Sequence, residues 1–215
     1  MSEVNLFKSL IRKSFRTFGL EIQKYYPPAH HELLKEKELK RRLQWLININ
    51  FRTILDIGAN TGQFASTISA MMPTAMLYSF EPLPDCYESL VANFKNSPNF
   101  KAFNLALGNE EGRITINRNE FTPSSSLLPM ADLHIETYPF TQKSCSQEVK
   151  IVRLDDLATQ LDINEPLLIK LDVQGYEDKV IEGGQNTFSK AKALIIEMSI
   201  EELYIKQKLF AINNP

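Results

Sequence analysis

The sequence predicts an α/β fold in which helices flank a doubly wound, mostly parallel sheet. Apolar runs that suit buried strands alternate with amphipathic runs that suit helices over residues 50–200. The first predicted strand ends in an acid and two glycines, a pattern typical of ligand-binding turns in such sheets. Because 43% of the 215 residues are apolar, the chain can form the core of one domain.

Residues 1–48 are predicted to form an N-terminal helical extension ahead of a domain at 49–215. Leu6 to Phe18 has apolar residues at helical spacing with basic residues between them, which indicates a basic amphipathic helix. Such a helix either makes a peripheral contact with a membrane or a partner, or packs its apolar side onto the domain. After Pro27 and Pro28, a second helix is predicted from Leu33 to Leu46.

The first predicted strand ends at Asp56 and leads through Gly58 and Gly62 into a helix predicted from Thr61 to Met72. Glycines let a ligand approach the main chain closely, and a helix start offers unpaired N–H groups. The spacing differs from the dinucleotide pattern G-x-G-x-x-G. It suits S-adenosylmethionine, whose amino group and sulfonium a carboxylate would complement. The alternative is a tight turn without a ligand.

The second predicted strand, Ala75 to Phe80, is followed by Glu81, about 20 residues beyond the glycine turn, where a ribose would lie. Glu81 can accept hydrogen bonds from both ribose hydroxyls. Alternatively, Glu81 is an acid near a helix start, since Pro82 and Pro84 lead into a helix predicted to end at Phe94. Together with the glycine turn, the spacing favours the ribose contact.

Phe100 to Leu107 is predicted to be the third strand, and an insertion over about 112–150 follows it. Gly112 to Asn117 and Gln147 to Val152 alternate like strands, whereas Thr122 to Phe140 is rich in Pro and Ser. A loop of that length in a compact domain is either disordered or a lid. The predicted site beneath this loop favours a lid.

Leu167 to Asp172 is predicted to be a central strand, because it is apolar on both faces apart from Lys170. Ligands of doubly wound sheets bind at the carboxyl ends of strands, so Asp56 and Asp172 are expected to face one crevice. A helix is predicted from Tyr176 to Phe188, and a fifth strand from Ala193 to Glu197.

Six segments carry a family resemblance, in order and with fitting spacing: Asp56-Ile-Gly-Ala-Asn-Thr-Gly62, Phe80-Glu-Pro82, Ala106-Leu-Gly108, Ser124-Ser-Ser126, Leu154-Asp155 and Ile169-Lys-Leu-Asp-Val-Gln-Gly-Tyr-Glu177. Over residues 50–200 the chain resembles the FkbM family of S-adenosylmethionine-dependent methyltransferases. The resemblance implies a seven-stranded, Rossmann-like class I methyltransferase sheet and bound S-adenosylmethionine. It also implies O-methylation, often of a hydroxyl on a sugar, glycan or other small molecule.

The turn and the resemblance together give the candidate cofactor-binding residues Asp56, Gly58, Ala59, Asn60, Gly62, Gln63 and Glu81. Asn104, Ala106 and Ser125 come from the resemblance alone, as linings of the adenine and methionine pocket. Methyl transfer depends mainly on positioning, and a carboxylate can accept the proton of the acceptor hydroxyl. Asp172 is the first candidate for this base and Glu177 the second. Asp172 in a binding role alone is the alternative.

Two other functions stay open. An NAD-dependent oxidoreductase on a related fold would need a third glycine in the turn. A non-catalytic cofactor-binding or interaction module would keep the fold without the chemistry. The family sheet usually closes with an antiparallel strand pair, for which the sequence after Leu209 offers no pattern. The fifth strand would then lie near a bare edge, which favours pairing with another chain, for example in a homodimer.

Composition excludes several classes of protein. A net charge of −2 gives no basic surface for nucleic acid. Cys86 and Cys145 form no C-x-x-C pair and the three histidines lack ligand spacing, so we predict no metal site. No apolar run reaches the length of a membrane-spanning helix. Unpaired thiols then favour a cytoplasmic protein.

Overall fold

The computed structural model describes residues 28–199 and 201–209. The chain divides into two compact units, Met1–Arg41 and Arg42–Pro215, compared with the predicted boundary after residue 48. The basic helix predicted from Leu6 to Phe18 lies outside the described residues.

Strands and helices alternate along the described chain. The strands are β1 (Thr53–Ile57), β2 (Met76–Phe80), β3 (Phe100–Phe103), β4 (Ala106–Gly108), β5 (Gly112–Asn119), β6 (Ser144–Arg153), β7 (Leu167–Leu171) and β8 (Ala191–Ile196). The α-helices are α1 (Pro28–Leu43), α2 (Gln63–Met71), α3 (Pro84–Asn93), α4 (Asp132–Thr137), α5 (Leu154–Ala158), α6 (Glu177–Gly183) and α7 (Gln185–Phe188). Short 3₁₀ turns cover Gln44–Ile49, Thr122–Ser124 and Pro139–Thr141.

The main sheet has five parallel strands in the order β3-β2-β1-β7-β8. Every residue of β1 and β7 is buried, as expected for apolar strands covered on both faces. The strand order reverses between β1 and β7, because the chain runs outward from β1 through β2 and β3 before returning to β7. The predicted α/β class with a doubly wound sheet is therefore confirmed, and the reversal marks the expected ligand crevice.

The single strand predicted from Phe100 to Leu107 is wrong, because the chain turns at Asn104 into a second sheet. The N–H of Glu81 donates to the carbonyl of Phe103 at 3.0 Å and continues the β2–β3 ladder. The Asn104 amide then donates to the carbonyls of Glu81 and Pro82, at 2.9 and 3.0 Å. Beyond this turn β4 joins the three-stranded sheet β4-β6-β5.

The single helix predicted from Tyr176 to Phe188 is also wrong, because Gly184 separates α6 from α7. Two successive glycines favour the helix poorly. Gly183 also packs directly on β4, where a Cβ atom would lie 1.8 Å from the carbonyl oxygen of Gly108. Close packing of α6 on the second sheet therefore requires glycine at the end of this helix.

The insertion is ordered around an antiparallel pair, β5 and β6, which runs in register from Gly112↔Ile151 to Asn119↔Ser144. Helix α4 and two 3₁₀ turns lie between these strands. Ile116 and Val149 of the pair are buried in the same core as β1. The insertion is thus a second small layer on the main domain.

Residues 201–209 follow the main sheet and pack against the insertion. Ala131 donates its N–H to the carbonyl of Leu203 at 2.9 Å, and Ile205 donates to Pro129 at 2.8 Å. Between these bonds the ring of Tyr204 is 1% exposed. In the described part of the chain no strand pairs with the outer edge of β8. Across the same residues, no helix has the length and apolar character required to cross a bilayer.

Candidate functional site

The glycine turn connects the end of β1 to the start of α2. Gly58 and Gly62 have positive φ angles of 78° and 96°, which glycine adopts readily. A Cβ atom on Gly58 would lie 1.8 Å from the carbonyl oxygen of Asp172. Glycine at this position therefore allows the ends of β1 and β7 to meet at the reversal point of the sheet.

Most N–H groups of the turn are bonded within the protein. Gly58 and Ala59 donate to the carbonyl of Phe80 at 3.0 and 3.1 Å, and Gly62 donates to Ala59 at 3.0 Å. The N–H of Ser66 donates the first helical hydrogen bond of α2, to the carbonyl of Gly62. The N–H groups of residues 63–65 lie ahead of this bond and so have no helical carbonyl to donate to. Gln63 is exposed at this point. Donors for a ligand are therefore expected at the helix start rather than in the turn itself.

Glu81 lies beside the turn and is 5% exposed. Its Oε2 accepts the N–H of Asn60 at 2.7 Å, and its Oε1 accepts the N–H of Leu83 at 2.9 Å. Burial raises the pKa of Glu81 to about 7. Each oxygen keeps a second lone pair, so the ionised carboxylate can still accept two ligand hydroxyls.

Lys170 joins β1 and β7 at the centre of the site, a role that the sequence interpretation missed. Its Nζ donates to the carbonyl of Gly58 at 2.8 Å and lies 3.3 Å from Asp172 Oδ2 and 3.4 Å from Asp56 Oδ1. Burial opposes the charge of Lys170, but its ion pairs with Asp56 and Asp172 outweigh that cost and raise its pKa. The available signal was a lone charged residue in an apolar strand, two residues before Asp172 and thus on its face.

Asp56 is fully buried beneath this lysine. Ser79 donates its hydroxyl to Asp56 Oδ2 at 3.4 Å, whereas Asp56 Oδ1 makes no hydrogen bond and lies 3.4 Å from the ammonium of Lys170. The carboxylate predicted to complement the sulfonium thus lies behind Lys170 and is closed to solvent.

The two candidate bases have different surroundings. The side chain of Asp172 is 26% exposed, and its Oδ1 accepts the amide of Gln174 at 2.8 Å. Glu177 is buried, and its oxygens accept the N–H groups of Val173 and Gly175 at 3.0 to 3.2 Å. Glu197, just after β8, lies beside Asp172, whose charge raises the pKa of Glu197, with burial adding to it. Asp172 is therefore the better placed of the two to meet a substrate, and Glu177 holds the turn.

The insertion contacts the glycine turn and the turn after β7. Asn60 donates its amide to the hydroxyl of Thr122 at 3.2 Å, and Ser126 donates to the carbonyl of Gln174 at 2.6 Å. Between them, the Ser125 hydroxyl accepts the N–H of Asn119 at 2.9 Å. Asn104 fixes the backbone beside Glu81, as described above. The fold therefore gathers the predicted polar residues at one end of the main sheet, whereas Ala106 is buried in β4 of the second sheet.

The buried, oriented Glu81 beside a glycine turn and a helix start fits an adenosyl ligand with an amino-acid end. The doubly wound sheet and this site define a Rossmann-like methyltransferase. The family profile described as Methyltransferase FkbM domain matches residues 56–211. The chain belongs to the FkbM methyltransferase family, whose methyl donor is S-adenosylmethionine.

Two curated relatives are similar to most of the described domain. The 2-O-methyltransferase NoeI of Sinorhizobium fredii is 31% identical over 158 residues, which cover 70% of this chain and 65% of NoeI. The hexuronic acid methyltransferase AglP of Haloferax volcanii is 27% identical over 150 residues, covering 66% and 54%. The matches thus span 54 to 65% of the length of these relatives. A solved putative methyltransferase from Thermobifida fusca has 14% identity and a TM-score of 0.43, covering 84% of this chain and 58% of that one.

Proposed function

We propose that this chain is an S-adenosylmethionine-dependent O-methyltransferase whose acceptor is a sugar hydroxyl. The observation that carries the proposal is Asp172, a partly exposed carboxylate at the sheet reversal, held by Lys170 and Gln174. Its position beside the glycine turn suits a base next to a bound methyl donor. The names of NoeI and AglP, an O-methyltransferase and a hexuronic acid methyltransferase, support oxygen and sugar as the acceptor.

The chain's own residues have separate tasks in this proposal. S-adenosylmethionine supplies a methyl group on a sulfonium. Glu81 accepts the two ribose hydroxyls, and the N–H groups at the start of α2 bind the amino-acid carboxylate. Asp172 would accept the proton of the acceptor hydroxyl as that oxygen is methylated. Lys170 Nζ lies 3.3 Å from Asp172 Oδ2 and holds this carboxylate in position.

Three exposed aromatic residues of the insertion supply a surface for the acceptor. Phe121 and Phe140 pack edge to face with ring centroids 5.3 Å apart, and Tyr138 lies 6.0 Å from Phe140. Phe140 is 60% exposed. Phe121 directly precedes Thr122, which contacts Asn60 of the glycine turn. Aromatic faces carry partial negative charge that suits the C–H groups of a sugar ring, and exposed apolar clusters commonly mark binding sites.

Phe140→Ala is expected to raise the KM for a sugar acceptor by about threefold to tenfold, because one stacking face is lost. The dissociation constant of S-adenosylmethionine, measured by calorimetry, should not change. Trp45→Ala is the matched control, since Trp45 is 57% exposed on a different segment. Equal KM values for Phe140→Ala and the unmodified protein would exclude the aromatic cluster from acceptor binding.

The function is tested by transfer of a labelled methyl group from S-adenosylmethionine to methyl β-glucuronide and to neutral methyl glycosides. We expect labelled methyl ether with at least one glycoside. Binding of S-adenosylmethionine without transfer to any hydroxylated acceptor would instead support a non-catalytic module. Calorimetric binding of NAD in place of S-adenosylmethionine would support the oxidoreductase alternative.

Cofactor affinity is expected to rise with pH through the titration of Glu81. Its pKa of about 7 leaves most of the carboxyl protonated at pH 6, and a protonated oxygen is a weaker acceptor for a ribose hydroxyl and carries a proton that itself needs an acceptor. Calorimetry should therefore show about tenfold weaker binding of S-adenosylmethionine at pH 6 than at pH 8. Glu81→Gln should bind more weakly and remove the pH dependence. The same pH dependence in Glu81→Gln would show that another group is responsible.

A further inference from the structure

A chain of hydrogen bonds leads from Asp172 through Gln174 to Tyr204 of the segment that follows the main sheet. The Gln174 amide nitrogen donates to Asp172 Oδ1 at 2.8 Å. The Tyr204 hydroxyl lies 2.9 Å from Gln174 Oε1 and 3.2 Å from the carbonyl oxygen of Ser124. The sequence analysis assigned no role to Tyr204, and it gave none to Gln174 beyond its place in the motif Ile169 to Glu177.

The backbone around Gln174 is fixed, so its side-chain amide is the part that can turn. Gln174 has a φ angle of 55°, which is costly for a residue with a side chain, and Ser126 bonds its carbonyl at 2.6 Å. The ring of Tyr204 packs on the next residue, 3.1 Å from where a Cβ atom of Gly175 would lie. The ring and the backbone therefore hold their positions while the amide rotates.

Counting donors shows that the two amide orientations suit different protonation states of Asp172. In the observed orientation the Gln174 amide N–H donates to the charged carboxylate of Asp172. The single proton of the Tyr204 hydroxyl can then be donated either to Gln174 Oε1 or to the carbonyl of Ser124. With the amide reversed, a protonated Asp172 donates to Gln174 Oε1 and the amide N–H donates to Tyr204. The Tyr204 hydroxyl then donates to Ser124. In the reversed arrangement the proton of Asp172, one amide proton of Gln174 and the proton of Tyr204 each have an acceptor.

Four other ionisable groups among the described residues lie around the hydrogen-bonded residues Asp172, Gln174 and Tyr204. Lys170 from β7, Glu177 from α6 and Glu197 after β8 face Asp172. Burial and then the negative charges of Asp172, Glu177 and Glu197 raise the pKa of Tyr204. Its hydroxyl therefore keeps the proton that it donates in both arrangements. His134 of α4 contacts the Tyr204 ring with centroids 5.2 Å apart, and burial lowers its pKa.

We infer that Gln174 and Tyr204 are positioning residues that give Asp172 a hydrogen-bond partner both before and after it accepts a proton. The inference rests on the proposed function, in which Asp172 is the base. The acceptor hydroxyl loses its proton to Asp172, the Gln174 amide rotates, and Asp172 then releases the proton to solvent while the amide returns. No oxidant or further reactant is needed.

The kinetic test compares Gln174→Met, Tyr204→Phe and the double variant, with labelled methyl transfer to a glycoside that the unmodified protein accepts. Each single variant should lower kcat about tenfold, because a hydrogen bond to a charged group is lost or misdirected. The KM for S-adenosylmethionine should stay constant. In Gln174→Met the acid side of the kcat profile should move to higher pH, since the charged base loses the amide donor. The double variant should be no slower than the slower single variant, because both substitutions interrupt the same series of hydrogen bonds from Asp172 through Gln174 to Tyr204.

Tyr78→Phe is the matched control, because the Tyr78 hydroxyl is also buried but bonds the backbone of Asp162, ahead of β7. It should leave kcat and the pH profile unchanged. Unchanged profiles in Gln174→Met and Tyr204→Phe, in a protein that Asp172→Asn inactivates, would overturn the inference. Independent, additive losses in the double variant would also overturn it.

A second measurement separates this inference from the proposed function. The side-chain amide resonances of Gln174, assigned by their loss in Gln174→Met, should shift with pH in the unmodified protein and stop shifting in Asp172→Asn. This readout needs no methyl transfer. Gln174 amide resonances that do not change with pH would refute the inference. A protein that transfers no methyl group but whose Gln174 resonances shift with pH would refute only the proposed function.

Discussion

Lys170→Met is expected to lower the free energy of unfolding by about 3–5 kcal/mol, the largest stability effect we predict. The substitution leaves the fully buried Asp56 with an oxygen that no hydrogen bond satisfies and removes the ammonium that lies 3.4 Å from that oxygen. Methionine keeps most of the side-chain volume, so the loss reports the charge rather than a cavity. Urea unfolding at pH 7 measures it.

The same variant should have an altered pH dependence of stability. Burial raises the pKa of Asp56 in the intact protein and Lys170 opposes that rise, so loss of Lys170 raises this pKa further and the folded variant binds more protons than the unfolded chain. Stability of Lys170→Met should therefore increase as pH falls towards the ordinary titration range of aspartate.

Two further variants decide whether the ion pair is the cause. Asp56→Asn combined with Lys170→Met should lose less stability than the sum of the single variants, because neither charge is then left alone. Lys179→Met removes a partly exposed lysine that pairs with Glu182 at 3.2 Å and should cost less than about 1 kcal/mol. A loss in Lys170→Met as small as that in Lys179→Met would contradict the arrangement of Lys170 described above.

Asp172→Asn is expected to reduce kcat by about a hundredfold to ten-thousandfold, the range typical of losing a general base. Asparagine has nearly the same shape, and Lys170 keeps its contacts with Gly58 and Asp56. The dissociation constant of S-adenosylmethionine should therefore stay within about threefold, as measured by calorimetry.

Asp156→Asn is the matched control for this experiment. Asp156 lies in α5 and pairs with Arg153 at 3.6 Å on an exposed surface. It should transfer methyl groups at the unmodified rate. Full turnover in Asp172→Asn would remove Asp172 as the base and leave it in a binding role, the alternative that the sequence left open.

Several site residues could be predicted because their signals are local in the sequence. Gly58 and Gly62 adopt positive φ angles, Asp56 is the residue before the last of β1, and the acids Glu81 and Asp172 directly follow buried strands. Strand ends in a parallel sheet meet at one edge, so sequence order alone predicted that Asp56 and Asp172 lie on neighbouring strands. The structure confirms that placement, while the binding and catalytic roles stay predictions.

Other features could not be predicted because they depend on contacts between distant segments. The break at Asn104 depends on the carbonyls of Glu81 and Pro82, and the break at Gly184 accompanies packing of α6 on β4. A pattern of apolar residues is the same for one long element and for two shorter ones. Local patterns therefore predicted one strand at Asn104 and one helix at Gly184 where tertiary packing produces two elements each.

The sequence by itself determined the α/β class, the glycine turn and the acids at the strand ends, because periodicity and backbone conformation are local properties. Only the tertiary structure decided that Lys170 stands between Asp56 and Asp172 and that Tyr204 reaches Asp172 through Gln174. A buried charge without a partner lowers stability strongly, so the residue that pairs with it has a large effect on the stability of the fold. Which residue becomes that partner depends on strand register and on segments far apart in the chain.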